Sequence, residues 1–320
     1  MFSYILRRVF QSIIVLLVVG LVAFSMFSFI GDPIDNMLGT ERTQEDIDRL
    51  RDQLGLDQPF VVQYLRFLGA ALQGNFGVSY EQGRPVALIL AERAPATLEL
   101  ALISGIFAFV LGIVLGVFTA IRRDGFAANA IMTLSLIGVS LPTFLIGIVL
   151  IYVFSVELGW FSSFGRGDTV SLGGWSTGFL TLSGWQALVL PSITLGLYQM
   201  TLIMRLVRSQ MLEVMRQDYI RFARARGLPE RVVTFRYALR NTMVPVITVA
   251  GLQLGGLIAF AIVTETIFQW PGLGLLFVNA IEFVDIPVMA AYLMLISVMF
   301  VGINLIVDLL YVAIDPRLRA

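Results

Sequence analysis

Six apolar runs divide the chain, and each is long enough to cross a bilayer as a helix. A helix needs about 20 apolar residues to span the hydrocarbon core. The runs occupy residues 9–30, 98–121, 130–156, 187–206, 243–268 and 288–312. The first run is longer than the roughly 7–15 apolar residues of a secretory signal peptide, so we expect it to persist as the first span. The pattern predicts an all-α integral membrane protein with six transmembrane helices.

A long polar interval, residues 31–97, separates the first two runs. Two of its pieces, TQEDIDRLRDQLGL and FVVQYLRFLGAALQG, repeat apolar residues at helical spacing. We expect a helical insertion whose short helices lie at the membrane surface. The chain then divides into an N-terminus with the first span, the insertion, a core of five spans and a tail, at residues 1–30, 31–97, 98–312 and 313–320.

The placement of arginine predicts the orientation of the spans. A total of 14 arginines and 5 acidic residues lie in residues 1–8, 122–126, 207–241 and 313–320. The segments that alternate with these between the spans carry 7 arginines and 14 acidic residues. Cytoplasmic loops of membrane proteins are enriched in basic residues. We therefore expect both termini and residues 207–241 in the cytoplasm, and the insertion outside it.

The composition removes several kinds of chemistry from this chain. It contains no cysteine, histidine or lysine, and all 22 basic residues are arginine. A Walker A phosphate loop ends in Gly-Lys-Ser or Gly-Lys-Thr, so any coupled ATP hydrolysis must take place on another chain. Thiolate and imidazole groups are missing as bases, nucleophiles and metal ligands. We expect no catalytic residues and no cofactor or metal in this chain.

Four ionisable residues fall within the predicted spans: Glu99, Arg205, Glu265 and Asp308. Each lies near a span end, where we expect the side chain to reach headgroups or water. A proton relay uses ionisable groups inside the membrane, and the middle of each predicted span has none. A stand-alone secondary transporter, driven by an ion gradient, is one functional alternative for this chain. The absence of ionisable groups in mid-span speaks against it.

Small residues recur at four-residue spacing in two of the spans. Gly112 and Gly116 form one pair, and Gly251 and Gly255 form another, with Gly256 beside it. Small residues let helix backbones approach closely. The pairs predict either packing within this chain or a seam with a second membrane subunit.

Residues 207–241, called the basic segment below, carry eight of the arginines. Their apolar residues recur at helical spacing: Leu212, Met215, Tyr219, Phe222 and Ala223. Gly227 suits the left-handed position that ends a helix, and Pro229 with Glu230 suits the first turn of the next one. The segment predicts a helix–turn–helix elbow that fits a groove on a cytoplasmic partner, the alternative being a solvated basic loop.

The stretch DYIRFARARGLPERVVTFRYALRNTMVPVI, which begins in this segment at Asp218 and ends at Ile247, resembles the cytoplasmic coupling loop of ABC importer permeases of the dipeptide/oligopeptide/nickel family. The general pattern of that loop is Glu-Ala-Ala, three residues, then Gly. Here Arg221 and Phe222 replace the Glu and the first Ala, as in the peptide subfamily, while Ala223 and Gly227 match. The likeness continues in order over nearly the whole chain through YILRRVFQSIIVLLVV, GDPIDNM, LGLDQPFVVQYLRFLGAALQGNFGVSY, RAPATLELAL, ETIFQWPGLGLLFVNAI and DPRLR.

The resemblance, which is to the first of two paired permeases, implies a type I ABC importer permease in a prokaryotic cytoplasmic (inner) membrane. It implies a pathway for di- or oligopeptides; nickel chelates, glutathione or another small solute are the alternatives. The implied partners are a second homologous permease, two cytoplasmic ABC ATPases that hold ATP and Mg, and an extracytoplasmic substrate-binding protein. Nucleic acid is not among them.

The resemblance also assigns residues. It implies ATPase-coupling contacts at Asp218, Tyr219, Phe222, Ala223, Arg224 and Gly227. Glu265, Trp270 and Asp285 lie near the predicted outer mouth of the pathway, where they are candidates either to touch substrate or to hold the structure of the mouth. Residues 31–95 carry ten acidic residues against six arginines and are a candidate dock for the binding protein.

Overall fold

Helices dominate the computed structural model, which describes residues 2–29 and 58–314. In chain order they are α1 Phe2–Phe29, α2 Phe60–Leu72, α3 Val86–Ile121, α4 Phe126–Ser140, α5 Thr143–Leu150, α6 Leu182–Val214, α7 Asp218–Ala225, α8 Glu230–Val232, α9 Arg240–Ile267, α10 Leu273–Glu282 and α11 Ile286–Ile314. Stretches of π-helix continue α5 through Ile151–Glu157 and α8 through Val233–Leu239. An antiparallel hairpin pairs β1, Val170–Leu172, with β2, Trp175–Thr177. The helix predicted in TQEDIDRLRDQLGL and residues 315–320 of the tail lie outside the described residues.

The long helices account for the predicted spans. Within the part of the chain that the structure describes, four stretches are long and apolar enough to cross a membrane: Leu6–Met26, Val86–Ile121, Leu182–Val214 and Ile286–Asp308. Two helix pairs pass the same test as bent spans: Phe126–Ser140 with Thr143–Glu157, and Glu230–Gly251 with Gly255–Ile267. With each pair counted as one span, residues 2–29 and 58–314 contain six. The predicted all-α membrane fold is confirmed.

The third apolar run is not one straight helix. Its two halves are bent by 111° across Leu141 and Pro142. Pro142 has φ −58° and ψ 138°, which is outside the helical region, and proline has no N–H with which to continue the preceding helix. The run therefore folds as α4 and α5, joined at an angle.

The second span begins earlier than its apolar run suggested. Helix α3 starts at Val86 rather than at residue 98 and continues through Pro95. Val86, Ile89 and Leu90 are buried in a hydrophobic core with α10 and α11, and this packing outweighs the hydrogen bond that Pro95 removes. Residues 86–97 thus belong to the helix of the second span.

Helix α2, which we expected at the membrane surface, packs along α1. The Tyr64 hydroxyl donates to the Leu17 carbonyl at 2.7 Å, and Leu17 lies in the middle of the first apolar stretch. The Phe24 ring lies 5.1 Å from the Phe60 ring and 5.9 Å from the Tyr64 ring, centroid to centroid. On another face of α1, Arg8 forms an ion pair with Asp308 of α11 at 3.1 Å.

The first glycine pair packs α3 directly against α6. A Cβ placed on Gly112 would lie 2.9 Å from the Ile203 Cβ. A Cβ on Gly116 would lie 2.6 Å from the Val207 Cβ and 2.8 Å from the Met204 carbonyl oxygen. These distances are shorter than any ordinary carbon contact, so the two helices approach this closely only because the side chains are missing. Of the two interpretations, packing within this chain applies here.

The second pair serves the contact between α9 and α11 in the same way. A Cβ on Gly251 would lie 2.6 Å from the Val307 Cγ1, and one on Gly255 would lie 2.8 Å from the Phe300 Cδ2. Gly256 faces α6 instead and is not crowded, since the nearest atom to its added Cβ would be the Gln199 Nε2 at 3.9 Å. Gly251 and Gly255 therefore also pack within the chain.

Candidate functional site

The centre of the basic segment is α7, a short helix held by one buried face. Ile220 and Ala223, three residues apart, are 0% and 4% exposed. Both belong to a hydrophobic core that also contains residues of α3, α6 and α9. Asp218 in the first turn and Arg224 in the last turn have the charges that complement a helix dipole. The predicted elbow therefore begins with a helix whose inner face is fixed to the bundle.

The turn after α7 is a Schellman motif centred on Gly227. The N–H of Leu228 donates to the Ala223 carbonyl at 3.4 Å, and the N–H of Gly227 donates to the Arg224 carbonyl at 2.9 Å. Gly227 has φ +75°, a left-handed conformation that glycine adopts at little cost. The prediction that Gly227 ends the helix is confirmed.

A second helical stretch, α8 with its π-helical continuation, connects the turn to α9. It begins at Glu230, directly after Pro229. Across the turn, the Arg224 Nε donates to the Glu230 Oε1 at 2.8 Å. The Asn241 Nδ2 of α9 donates to the Tyr219 hydroxyl of α7 at 3.1 Å. The basic segment is therefore a folded elbow anchored to α6 and α9, and not an extended basic loop.

The outer face of α7 presents charged and aromatic side chains. The Asp218 side chain is 98% exposed, and Phe222 is 64% exposed. The Arg226 guanidinium carbon lies 5.8 Å from the centre of the Phe222 ring, within the range of a cation–π contact. Of the six residues assigned to partner contacts, Ala223 lies in the chain's own core, where it seats the helix. The other five lie at the surface.

At the far end of α9, Glu265 closes the N-terminus of α10. One of its oxygens accepts from the Thr97 hydroxyl at 2.6 Å, and the other accepts from the N–H groups of Gly274 and Leu275 at 2.7 and 3.0 Å. The Thr97 oxygen accepts from the Leu273 N–H at 2.8 Å. The first N–H groups of a helix have no partner inside it. Glu265 and Thr97 supply that partner to three of them.

Trp270 and Asp285 fix the rest of the same connection, and each is 1% exposed. The Trp270 Nε1 donates to the Ala96 carbonyl at 2.9 Å. Asp285 precedes α11 and accepts from the Ser79 hydroxyl, which lies in the turn before α3. These contacts join the α9–α10–α11 connection to α3. The geometry favours the structural alternative for all three residues that we placed at the mouth.

A buried ion pair that the sequence did not predict joins α3 to the region of the hairpin. The Arg166 Nη2 lies 2.6 Å from the Glu99 Oε2, and both side chains are less than 10% exposed (7% and 3%). The Trp175 Nε1 donates to the Glu99 Oε1 at 3.1 Å, and the Gly178 N–H donates to the Glu99 Oε2 at 3.3 Å. The sequence offered one indication that Arg166 has a special role, because it is the only arginine in residues 157–186.

The expectation that Glu99 and Glu265 reach headgroups or water is therefore wrong. Both carboxylates are buried, at 3% and 0% exposure. An unpaired buried carboxylate would be costly, and each of these is surrounded by hydrogen-bond donors from another element. They hold the loops at one end of the bundle to α3.

Two family models together match nearly the whole chain. One, described as "Binding-protein-dependent transport system inner membrane component", matches residues 112–320. The other, described as "Binding-prot-dependent transport system membrane comp, N-term", matches residues 1–101.

Individual proteins resemble the chain over its full length. The glutathione transport system permease protein GsiC of Escherichia coli (strain K12) is 38% identical over 320 residues, which cover 100% of this chain and 99% of GsiC. GsiC of Salmonella paratyphi A is 39% identical with the same coverage. Among solved structures, an inward-facing conformation of the MetNI methionine ABC transporter aligns with a TM-score of 0.56 and 21% identity, covering 71% of this chain and 96% of that one. This last likeness is one of fold.

Proposed function

The chain belongs to the family of binding-protein-dependent transport system inner membrane components, and from this premise we propose how it acts within an importer. It is a multi-pass permease subunit of an ABC importer. We propose that it forms the solute pathway with a second permease chain, above two ATPase chains that bind ATP and Mg²⁺. An extracytoplasmic binding protein delivers the solute. The supporting observation is the full-length similarity to GsiC together with the folded elbow of the basic segment.

The proposed coupling device is α7. Its inner face packs in the core that α6 and α9 share, and its outer face exposes Asp218, Tyr219 and Phe222. A helix held on one side and exposed on the other can transmit a displacement of a partner to both flanking helices. ATP-driven closure of the ATPases would then move α6 and α9 as packed bodies, which is the kind of motion that opens one side of a pathway and closes the other.

The proposed orientation places the basic segment in the cytoplasm and the β1–β2 hairpin outside it. The arginine bias supports this orientation. It also places the α7 face where ATPases are found, and the insertion where a binding protein arrives.

The proposed solute class is small peptides, including glutathione, which is itself a tripeptide. The GsiC proteins carry glutathione transport in their names and match this chain from end to end. A nickel chelate or another small solute is the competing proposal within the same family.

Copurification tests the coupling role. The permease is expressed with its paired permease and ATPases, and the complex is isolated through a tag on this chain. We expect Phe222→Ala to lower the amount of ATPase recovered at least severalfold. Phe126→Ala is the matched control, because Phe126 is a 90% exposed aromatic residue outside the basic segment. Equal ATPase recovery with both variants would contradict the assignment.

Reconstitution tests the transport function. Proteoliposomes that contain the complete importer and its binding protein are supplied with ATP inside, and uptake of glutathione, di-alanine and tri-alanine is measured. We expect ATP-dependent uptake of at least one of these peptides that persists when ionophores collapse all ion gradients. Uptake that follows an ion gradient without ATP would favour a secondary transporter.

A further inference from the structure

A cavity of about 380 Å³ lies between α3, α6 and α9, with Val307 of α11 at its edge. Its wall is almost entirely apolar. Among the described residues, the polar side chains in the wall are Gln199, Thr248 and Gln253, and none of the side chains that line it is ionisable. Ligand sites commonly combine an apolar wall with a few placed polar groups.

Gln199 is the unusual residue of this cavity. It is 5% exposed, and its Oε1 accepts no hydrogen bond from any residue that the structure describes. The Thr248 hydroxyl, in contrast, is already used, since it donates to the Val244 carbonyl at 3.0 Å. A buried amide oxygen without a donor is costly. The Gln199 oxygen itself lies below the cavity surface, so a rotation of the carboxamide toward the cavity would let an occupant that brings a donor pair with it.

The chemistry of the wall selects among possible occupants. A lipid chain would fill the apolar space and leave the Gln199 oxygen unpaired in a medium of low polarity. A charged group would enter a wall that has no counter-charge. A neutral amide carries one donor and one acceptor, which match the oxygen and the NH₂ of a carboxamide. A peptide bond between apolar neighbours fits both the wall and Gln199.

We propose that this cavity is a solute subsite in which Gln199 hydrogen-bonds a peptide amide of the transported solute. The proposal rests on the proposed function, because it requires that a peptide passes through this chain. Beyond the proposed function, it specifies where the solute binds, between α3, α6 and α9, and which residue hydrogen-bonds its amide. Gln253 lines the same cavity and is the second carboxamide available to the solute.

The test compares a peptide with its N-methylated form, which lacks the amide donor. The complete importer is reconstituted with its binding protein, and initial uptake is measured for tri-alanine and glutathione and for each with its amide nitrogens methylated. For whichever peptide the wild type imports, Gln199→Met should lower uptake about tenfold and leave uptake of the methylated form unchanged, since one lost hydrogen bond to a buried group costs about a factor of ten. Any discrimination by the binding protein is common to both importers and cancels in the comparison.

The control variant is Ser192→Ala. Ser192 also lies on α6, is 3% exposed and has a hydroxyl without a partner among the described residues, but it does not line the cavity. We expect it to leave the ratio between the two uptakes as in the wild type. An equal loss for both peptides in Gln199→Met would mean that Gln199 contacts the second permease or supports the fold, and it would overturn the proposal.

A second measurement does not depend on a variant. A tri-alanine or glutathione analogue with a diazirine is photolysed during turnover in the wild-type importer, and the labelled segments of this chain are identified. Labels on α6 near Gln199 and on α9 near Gln253 support the subsite, and labels confined to other helices would overturn it. Failure of the wild type to import any peptide would contradict the proposed solute class instead, and it is seen in the uptake assay before either measurement.

Discussion

Gly227 shapes the basic segment through its backbone. Its φ is +75°, yet a Cβ at this position would meet no atom within 4 Å. The choice of residue at position 227 is therefore limited by the backbone conformation and not by the space around it. Asparagine adopts left-handed backbone more readily than other residues that have a Cβ, whereas a β-branched residue there is strained.

We predict that Gly227→Asn retains most transport per ATP hydrolysed and that Gly227→Val loses most of it. The valine variant strains the turn by on the order of 1–2 kcal/mol and displaces α7 relative to α9. The measurement is the ratio of solute imported to ATP consumed in proteoliposomes. Wild-type coupling in the valine variant would disprove the role of the elbow.

Glu265 supports one end of the bundle because its two oxygens serve three donors. In Glu265→Ala the Thr97 hydroxyl and two N–H groups of α10 lose their acceptor. We predict a loss of stability of about 2–5 kcal/mol, given the usual cost of buried donors left unpaired. Thermal unfolding in detergent measures it. Glu282→Ala is the control, because Glu282 is an exposed carboxylate at the end of α10, and it should unfold at the wild-type temperature.

At the scale of elements, the close contact between α3 and α6 depends on glycines, which have no side chain. Even the smallest added side chain at Gly116 would clash with Val207 and with the Met204 carbonyl. Gly302 in α11 offers the opposite case, since a Cβ there would meet nothing within 4 Å. The two positions separate the effect of close packing from that of helix propensity.

We predict that Gly116→Ala lowers the unfolding temperature and that Gly302→Ala leaves it unchanged or raises it. Alanine favours a helix over glycine by about 1 kcal/mol, and only at Gly116 does overpacking, typically 1–3 kcal/mol, outweigh that gain. Thermal unfolding of both variants in the same detergent tests the comparison. A lowered unfolding temperature for both would show that glycine itself matters in these helices.

The sequence predicted those elements that depend on local patterns. Apolar run length located the spans, and Gly227 with the helical stripe before it located the elbow, because helix caps follow from neighbouring residues. The sequence did not locate contacts between distant residues. The pairing of Glu99 with Arg166 joins residues 67 positions apart, and no local pattern records such a partner.

Two further features that the sequence did not predict concern proline residues. The bend at Pro142 and the continuous helix through Pro95 involve the same residue type with opposite outcomes. Buried neighbours such as Ile89 and Leu90 hold α3 helical before Pro95, and this is decided by packing that the sequence does not display. The Gln199 cavity was missed for the same reason, since it lies where three helices meet.

At the scale of the whole molecule, the proposed transport mechanism requires one particular orientation of the chain in the membrane. The elbow of the basic segment lies at one end of α9, and the Glu265 contacts lie at the other. Inversion of the whole bundle would remove the α7 face from any cytoplasmic ATPase. The chain has no cysteine, so a single introduced thiol reports its position without background.

We predict that Asp218→Cys is labelled by a membrane-impermeant maleimide only after cells are opened, and that Gly174→Cys is labelled in intact cells. Asp218 is exposed on α7, and Gly174 is exposed in the β1–β2 turn with no atom within 4 Å of an added Cβ, so both thiols are accessible in the folded chain. Both cells and membranes are treated with the same reagent, and a permeant maleimide confirms that each thiol reacts. The reverse pattern would place the basic segment outside the cytoplasm. ATP-driven coupling through α7 would then be impossible, because the nucleotide is supplied on the other side.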